Sequence, residues 1–369
     1  MNYTMRTMLA VLIISLASCG NPAENSGEFE KFEVQRGTNI AHFLSQSNNR
    51  GAEREAFFTK ADVETIAALG FDHIRMPIDE EQMWNEEMEK NADAFELLHN
   101  SIKWSHDAGL RVIIDLHILR SHHFNEGEKP LWTERAEQEK FFDLWRDLSG
   151  ELAGYPVGQV AYELMNEAVA DDPEQWNELL NEAYSVIREL EPDRVIVIGS
   201  NRWQSANTFH QLRIPGNDPN ILLSFHFYNP MALTHYRASW SGVYDYEGPV
   251  QYPGEVIKEE DLEGYPEKFK QQMKWSSGYY TIDTLKKMMQ EPLEFARKNN
   301  LNLYCGEFGV YKPAPREDAL RWYDDMITAM EEYGIGWGNW CYKGSFGIFN
   351  EEGSVDQELM DIFFQNKEN

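Results

Sequence analysis

The feature that most constrains this chain is a regular alternation of short apolar runs with amphipathic helical stretches from about residue 32 onward. Several runs are apolar on both faces, such as 112–114 and 195–198, which is typical of parallel strands covered on both sides. We predict strands at Val34–Ile40, His73–Met76, Arg111–His117, Gln159–Met165, Arg194–Gly199, Ile221–His226, Asn302–Glu307 and Ile335–Tyr342. Eight strand–helix repeats in roughly 330 residues predict an α/β fold, a single (β/α)8 TIM barrel. A doubly wound sheet is the alternative, but no Gly-x-Gly-x-x-Gly motif follows the first strand.

One connection in this pattern is unusually long. Residues 229–281 contain no clean strand, and residues 227–280 hold twelve aromatic side chains, against 13% aromatics in the whole chain. We therefore expect a long aromatic-rich loop after strand six, and excursions of this length inside a compact domain are usually functional. Its aromatic side chains, Trp240 among them, either stack on a ligand such as a sugar ring or pack the loop onto the barrel.

The charge balance limits the partners of this chain. It has 62 acidic and 33 basic residues, a formal net charge of −29. Such a surface repels phosphate backbones, so we expect no nucleic-acid partner, and neutral ligands suit it better than acidic ones. Three cysteines in 369 residues cannot form a disulfide scaffold, so the apolar core must hold the fold together. We expect a monomer.

The N-terminus is typical of an export signal. Arg6 precedes an apolar run, Met8–Leu16, that is about half the length needed to span a bilayer. The sequence Leu-Ala-Ser-Cys that ends at Cys19 resembles a bacterial lipoprotein signal, and a secretory peptide with a chance cysteine is the alternative. We expect an exported lipoprotein at the cell surface or in the periplasm, which meets the membrane only through its lipid. The predicted divisions are a signal peptide (1–18), a lipidated cysteine with a flexible tether (19–30) and the barrel domain (31–369).

Polar and ionisable residues recur where the predicted strands end. In a barrel of this kind, chemistry gathers at the carboxyl ends of the strands. Such side chains directly after apolar strands are costly unless they are paired, so their recurrence needs a common cause. The strand ends carry Arg75, His117, Asn166, Glu167, Asn201, His226, Tyr228, Glu307 and Trp340.

Two glutamates stand out among these residues. The dipeptide Asn-Glu occurs six times, but only Asn166-Glu167 ends an apolar strand, and Glu307 ends another strand. Two carboxyl groups that face one cavity from different strands are what cleavage of a glycosidic bond requires. One must be protonated to assist the leaving oxygen, and the other must be ionised. We expect Arg75 to hold Glu307 ionised, and the environment of Glu167 to raise its pKa.

The ordered set of strand-end residues resembles glycoside hydrolase family 5, whose members are retaining (β/α)8 enzymes. Arg75 lies in Ile-Arg-Met-Pro and Glu307 in Gly-Glu-Phe-Gly, and the family's other positions are filled in the same order. The resemblance implies Glu167 as acid/base and Glu307 as nucleophile, with carboxyl groups about 5–5.5 Å apart for retention. It also implies supporting roles in substrate binding and in orienting the two carboxyls for Asn166, His226, Tyr228, Arg75, His117 and Trp340.

The outer subsites are less well defined by the sequence. His122 and His123 follow the third strand and are candidates for binding sugar hydroxyls; a metal site is the competing interpretation, but no third ligand has suitable spacing. Asn201 follows the fifth strand, and Trp203 is either a stacking platform or a core residue. We expect neither a metal nor a cofactor. We also expect Cys305 and Cys341 to be buried thiols rather than a disulfide.

The substrate is the least constrained prediction. We favour endo-action on a neutral β-1,4-glucan, since a long aromatic connection suits a cleft with several subsites. β-Mannan, xyloglucan and exo-action on a β-glucan are the alternatives within the family. A surface glycan-binding lipoprotein without catalysis is the alternative from another class, although a binder has no need of two glutamates with a supporting Arg and Tyr. A metal-dependent barrel hydrolase is less favoured, because no His-x-His follows the first strand.

Overall fold

The structure, a computed structural model, describes residues 29–364, so the predicted signal peptide and Cys19 lie outside the described residues. Eight parallel strands close into one barrel, in which each strand pairs with the next along the chain and the last pairs with the first. The strands are β1 (Arg36–Asn39), β2 (His73–Asp79), β3 (Arg111–Ile118), β4 (Val160–Glu163), β5 (Ile196–Gly199), β6 (Ile221–Phe227), β7 (Asn302–Phe308) and β8 (Gly336–Asn339). The predicted (β/α)8 barrel is confirmed, with strand ends within a few residues of those expected.

Helices cover the outside of the barrel. The α-helices are Ala52–Phe57, Lys60–Leu69, Glu80–Met83, Ala92–Asp107, Arg135–Leu152, Pro173–Leu190, Met231–Thr234, Glu267–Ser276, Ile282–Met288, Gln290–Asn299, Arg316–Tyr333 and Gln357–Phe364, and the 3₁₀ helices are Pro130–Trp132, Ala206–Gln211 and Glu259–Leu262. No helix within residues 29–364 has both the length and the apolar character needed to cross a membrane. The segment Asn201–Gln204 after β5 is a turn rather than a regular helix, because Arg202 and Trp203 have left-handed dihedral angles.

Local sequence signals explain where the helices begin and end. Thr59 and Asp62 form a capping box at the start of the helix Lys60–Leu69, and Gly70 ends that helix with a φ of 101°. In this left-handed conformation a glycine avoids the steric cost of a Cβ atom. The helix therefore stops where β2 must begin, three residues later.

The connection between β6 and β7 is more structured than a plain loop. It contains the helices Met231–Thr234 and Glu267–Ser276 and an antiparallel pair of two-residue strands, Gly254–Glu255 and Tyr279–Tyr280. Tyr246 and Tyr252 are buried in it, whereas other aromatic side chains of this connection, Trp240 among them, are exposed. Packing onto the barrel therefore describes the buried aromatic residues, and ligand stacking stays a prediction for the exposed ones.

The first described residues lie against the amino-terminal end of the barrel. The Arg111 guanidinium lies 5.2 Å from the centre of the Phe29 ring and donates a 3.1 Å hydrogen bond to the carbonyl of Lys31. A Cβ atom on Gly158, two residues before β4, would lie 2.0 Å from the Phe29 carbonyl oxygen. The chain thus enters β1 from the end of the barrel opposite the strand-end polar residues.

Three side chains near the amino-terminal end of the barrel are linked by hydrogen bonds. Asp72 accepts a hydrogen bond from His73 Nδ1 (2.6 Å), and His73 Nε2 bonds the hydroxyl of Tyr304 (2.9 Å). The neighbouring Gly37 makes room for the His73 ring, since a Cβ atom there would lie 2.2 Å from His73 Nε2. The lack of a side chain at residue 37 is a packing requirement of the barrel.

We predict that Gly37→Ala lowers the free energy of unfolding by about 1–3 kcal/mol, because the added methyl group overlaps a buried ring. Gly150→Ala is the matched control: Gly150 lies inside the helix Arg135–Leu152 with nothing within 4 Å of its added Cβ atom. The control should stabilise the protein by up to about 1 kcal/mol. Urea unfolding measures both, and a Gly37→Ala midpoint at or above that of wild type contradicts the packing argument.

Candidate active site

The Arg75 guanidinium lies at the centre of the site and is fully buried among three carboxylates. It lies 2.7 Å from Glu163 Oε2, 2.7 Å from Glu307 Oε1 and 3.0 Å from Asp115 Oδ2. One cation cannot neutralise three anions, so protons must be retained in this cluster. Accordingly, burial raises the pKa of Asp115 to about 7 and raises the pKa of Glu163, while Arg75 opposes both shifts.

Two asparagines complete the hydrogen bonding of Arg75. Asn39 Oδ1 and Asn166 Oδ1 each accept a 2.9 Å hydrogen bond from the guanidinium. The Asn166 side chain is thereby fixed with its amide nitrogen facing the other way. That nitrogen is buried and has no hydrogen-bond partner among residues 29–364, so it is available as a donor to a bound ligand.

Both carboxylate oxygens of Glu307 are hydrogen-bonded. Arg75 donates to Oε1 (2.7 Å) and the Tyr228 hydroxyl donates to Oε2 (2.8 Å). Burial raises the pKa of Glu307, while Arg75 and the Tyr228 hydroxyl favour its ionised form. These contacts orient the carboxylate and stabilise the charge that a nucleophile needs.

Glu167 has a different environment. Its Oε1 lies 2.9 Å from His226 Nδ1, and no cation lies within ion-pair distance of it among residues 29–364. Burial first, and then the charge of Glu307, raise the pKa of Glu167 well above its usual range. Burial also lowers the pKa of His226 well below its usual range, so His226 is neutral. The two glutamates therefore differ as an acid and a nucleophile must.

The separation of the two glutamates is short. One carboxylate oxygen of Glu167, one of Glu307 and one ring nitrogen of His226 all lie within 4.8 Å of one another. Among residues 29–364, this is the group of His, Cys, Asp and Glu side chains close enough to hold a metal ion, and it does not include His122 or His123. Retaining glycosidases have carboxyl groups about 5–5.5 Å apart and inverting ones about 6.5–9.5 Å, so the spacing agrees with retention.

His117 and Trp340 form a flat wall beside the glutamates. Their rings stack with centroids 5.5 Å apart and planes 8° apart. His117 Nδ1 lies 2.7 Å from Asp115 Oδ2, and its Nε2 lies 3.1 Å from the Gln46 amide nitrogen. Burial lowers the pKa of His117 to about 3, so the ring is neutral. It donates to Asp115 and accepts from Gln46, which fixes its tautomer and its plane.

Two predicted outer-subsite residues lie away from the ligand-accessible surface. His122 is fully buried: its Nε2 accepts a hydrogen bond from the Val169 backbone (3.3 Å), and its ring packs edge-on against Trp132. The Asn201 side chain accepts from the nitrogen of Ala170 (2.9 Å) and donates to its carbonyl (3.0 Å). Both side chains support the segment after β4, so the structure does not place either of them against a sugar.

The other predicted outer-subsite residues are accessible. Trp203 is 42% exposed, and its indole N–H donates to the Phe124 carbonyl (3.2 Å). His123 stacks on the Phe124 ring with centroids 4.8 Å apart. Trp240 is 52% exposed and packs edge-on against Tyr311. All of these can contact a ligand, and their roles stay predictions.

Two further observations concern the interior of the site. Cys305 and Cys341 are buried free thiols, as expected. The sequence reasoning missed Asp115, Glu163 and Gln204, which contact the core of the site. Asp115 lies two residues before His117 and Glu163 lies inside an apolar strand; a carboxylate in such a run was the available signal for both.

This chain is similar in sequence and in fold to known proteins. The sequence model of the family Cellulase (glycosyl hydrolase family 5) matches residues 34–345. Endoglucanase C of Acetivibrio thermocellus is 32% identical over 338 residues, which are 90% of this chain and 98% of that protein. Cellodextrinase A of Ruminococcus flavefaciens is 29% identical over 306 residues, 82% of this chain and 83% of that protein. The structure of endoglucanase Cel5A from Thermotoga maritima has a TM-score of 0.71 at 25% identity and covers 89% of this chain and 96% of its own.

A (β/α)8 barrel with two close carboxyl groups in opposite environments at its carboxyl-terminal end is the arrangement of a glycoside hydrolase. The match to the family sequence model covers most of the chain, and Endoglucanase C is similar over almost its whole length. The chain belongs to glycoside hydrolase family 5.

We predict that Glu307→Gln lowers the pKa of Glu167. The negative charge of Glu307 raises that pKa, second only to burial, so its removal must move the pKa downward. Titration of the labelled Glu167 carboxyl carbon by NMR measures the change. Glu358→Gln, which neutralises an exposed glutamate, is the control and should leave the Glu167 titration unchanged. An unchanged or higher Glu167 pKa in the Glu307→Gln variant contradicts the coupling.

Proposed function

We propose that this protein is a retaining endo-β-1,4-glucanase that acts by double displacement, with Glu307 as nucleophile and Glu167 as acid/base. The observation that carries the proposal is a pair of carboxyl groups with oxygens within 4.8 Å of each other. Glu307 is buried and bonded to Arg75 and Tyr228, and Glu167 is partly exposed and bonded to a neutral histidine.

In the first step, a Glu307 oxygen forms a bond to the anomeric carbon as the glycosidic bond breaks. The leaving oxygen takes the proton of Glu167, so that the departing chain leaves as an alcohol. Arg75 and Tyr228 hold the attacking carboxylate in place, and the free amide N–H of Asn166 is the candidate donor to the sugar hydroxyl next to the reacting carbon. Position and charge therefore both favour this transfer.

In the second step, water replaces Glu307 on the sugar. Once Glu307 is bound as a neutral ester, it no longer repels a charge on Glu167, so the pKa of Glu167 falls. Glu167 can then act as the base that takes a proton from the attacking water. Glu167 thus serves as the acid of the first step and the base of the second, while Glu307 is the nucleophile of the first step and the leaving group of the second.

The substrate class rests on charge, on exposed aromatics and on relatives. A net charge of −29 disfavours acidic polysaccharides, and the half-exposed Trp203 and Trp240 offer apolar planes that suit the C–H faces of sugar rings. Endoglucanase C and Cellodextrinase A are two of the proteins similar to this chain. A neutral β-1,4-glucan, cleaved at internal bonds of the polysaccharide, is the substrate that agrees with all of these observations.

We predict that residues 20–369 release a ladder of oligosaccharides from β-1,4-glucan, in a panel that also contains mixed-linkage glucan, xyloglucan, β-mannan and β-1,3-glucan. NMR of early products should show the β-anomer first, because double displacement retains configuration. Glu167→Gln and Glu307→Gln should each lose at least about a hundredfold in rate while still binding the glycan. Glu358→Gln is the matched surface control. Immediate formation of the α-anomer, or wild-type rates in the Glu307→Gln variant, contradicts the mechanism.

We also propose that the protein is an exported lipoprotein anchored through Cys19. What supports this is the sequence alone: a basic start, an apolar run too short to span a bilayer and Leu-Ala-Ser-Cys at its end. A lipid on Cys19 would anchor the hydrolase without a membrane-spanning helix.

In a bacterial host, labelled palmitate should be incorporated into the full-length chain and not into a Cys19→Ala variant. Cys341→Ala, which removes a buried thiol, serves as the matched control and should remain labelled. Equal labelling of the Cys19→Ala and wild-type chains contradicts lipidation at Cys19. Protease treatment of intact cells then distinguishes display at the surface, where the protein is degraded, from a location in the periplasm, where it survives.

A further inference from the structure

The turn after β5 has a strained backbone. Arg202, Trp203 and Gln204 follow one another with φ angles of 58°, 61° and 50°. This left-handed region is costly for residues that carry a side chain, and such strain persists only where the surroundings fix it. Three such residues in succession therefore call for a reason in the contacts that they make.

Those contacts hold the segment that carries Glu167. The side-chain oxygen of Gln204 accepts a 2.8 Å hydrogen bond from the backbone nitrogen of Glu167, and the nitrogen of Trp203 donates to the carbonyl of Ala168 (3.2 Å). The Asn201 side chain binds the backbone two residues further on, as described above. Glu167 itself has a φ of 45°, so its backbone is strained too and depends on these bonds.

The other end of the Gln204 amide points into the site. Its nitrogen lies 3.1 Å from Glu163 Oε1 and 3.2 Å from Ser224 Oγ, and the side chain is only 1% exposed. Glu163 in turn holds Arg75. One buried amide thus joins the backbone of Glu167 to the carboxylate network that binds Glu307.

The fold makes room for this one side chain. A Cβ atom on Gly199, the last residue of β5, would lie 2.3 Å from Gln204 Cγ. The strand therefore ends without a side chain where Gln204 passes, and the left-handed turn brings Gln204 back over it. An amide is suited to this position because it accepts from an N–H group and donates to a carboxylate at once.

We propose that Gln204 is a positioning residue for the acid/base, which fixes the Glu167 carboxyl where it can deliver a proton to the leaving oxygen. The inference rests on the proposed function, and it adds a residue that acts through Glu167 rather than by touching the substrate. Gln204 reaches the nucleophile only through Glu163 and Arg75, but bonds the backbone of Glu167 directly, so loss of the amide would displace the proton donor more than the nucleophile.

The test compares two aryl β-cellobiosides. A 2,4-dinitrophenyl group leaves without help from an acid, whereas a phenyl group needs a proton. Gln204→Met keeps the length of the side chain and removes its three hydrogen bonds, to Glu167, Glu163 and Ser224. We expect kcat/KM on the phenyl substrate to fall about 10- to 100-fold, and on the dinitrophenyl substrate to change less than about threefold. Gln159→Met is the matched control, since Gln159 is buried at the opposite end of the barrel and donates to the Ile102 carbonyl.

A second variant perturbs the Gln204 side chain through its neighbour Gly199. Gly199→Ala displaces Gln204 without removing it, and should show the same selective loss on the phenyl substrate. Urea unfolding establishes that each variant is folded before its rates are compared. Equal losses on both substrates, in either folded variant, overturn the inference, and so does a selective loss in Gln159→Met. A wild-type protein inactive on both substrates contradicts the proposed function instead, so the two failures are distinguishable.

Discussion

The buried guanidinium of Arg75 is the interaction on which the rest of the site depends. It contacts carboxylates from three different strands, β3, β4 and β7, and donates hydrogen bonds to Asn39 at the end of β1 and to Asn166 just after β4. Burying a guanidinium without water is costly unless carboxylates and amides bind it, and burying those groups is costly without the guanidinium. Arg75 and its five partners therefore stabilise one another. Closing the barrel assembles this cluster, and the cluster determines where Glu307 points.

The two glutamates differ because only Glu307 forms an ion pair with Arg75. Glu307 receives Arg75 directly, while Glu167 lies across the cavity against a neutral histidine. Desolvation raises the pKa of both side chains, so desolvation alone would make them similar acids. The contact with the Arg75 guanidinium favours the ionised form of Glu307 and is absent at Glu167. One site can therefore hold an acid and a nucleophile at the same pH.

Much of this arrangement could be predicted from the sequence, and the exceptions have physical reasons. The strands were readable because runs such as 195–198 are apolar on both faces, and the strand-end residues were readable because polar groups interrupt such runs. Asp115 was missed because it lies inside β3. Glu163 was missed because the predicted strand continued to Met165, whereas β4 ends at Glu163. His122 looked like a ligand because it follows a strand, yet its ring is buried against Trp132. Gln204 left no signal, since a left-handed turn built without glycine has no sequence pattern.

The chain enters at the amino-terminal end of the barrel, and this determines which end of the barrel an N-terminal attachment would approach. Phe29 and Lys31 lie against the start of β3, and the two glutamates lie at the opposite end of the strands. The described chain therefore reaches the barrel at the end opposite the two glutamates. If Cys19 carries a lipid, as proposed, attachment at this end would leave the catalytic end accessible to a polymeric substrate.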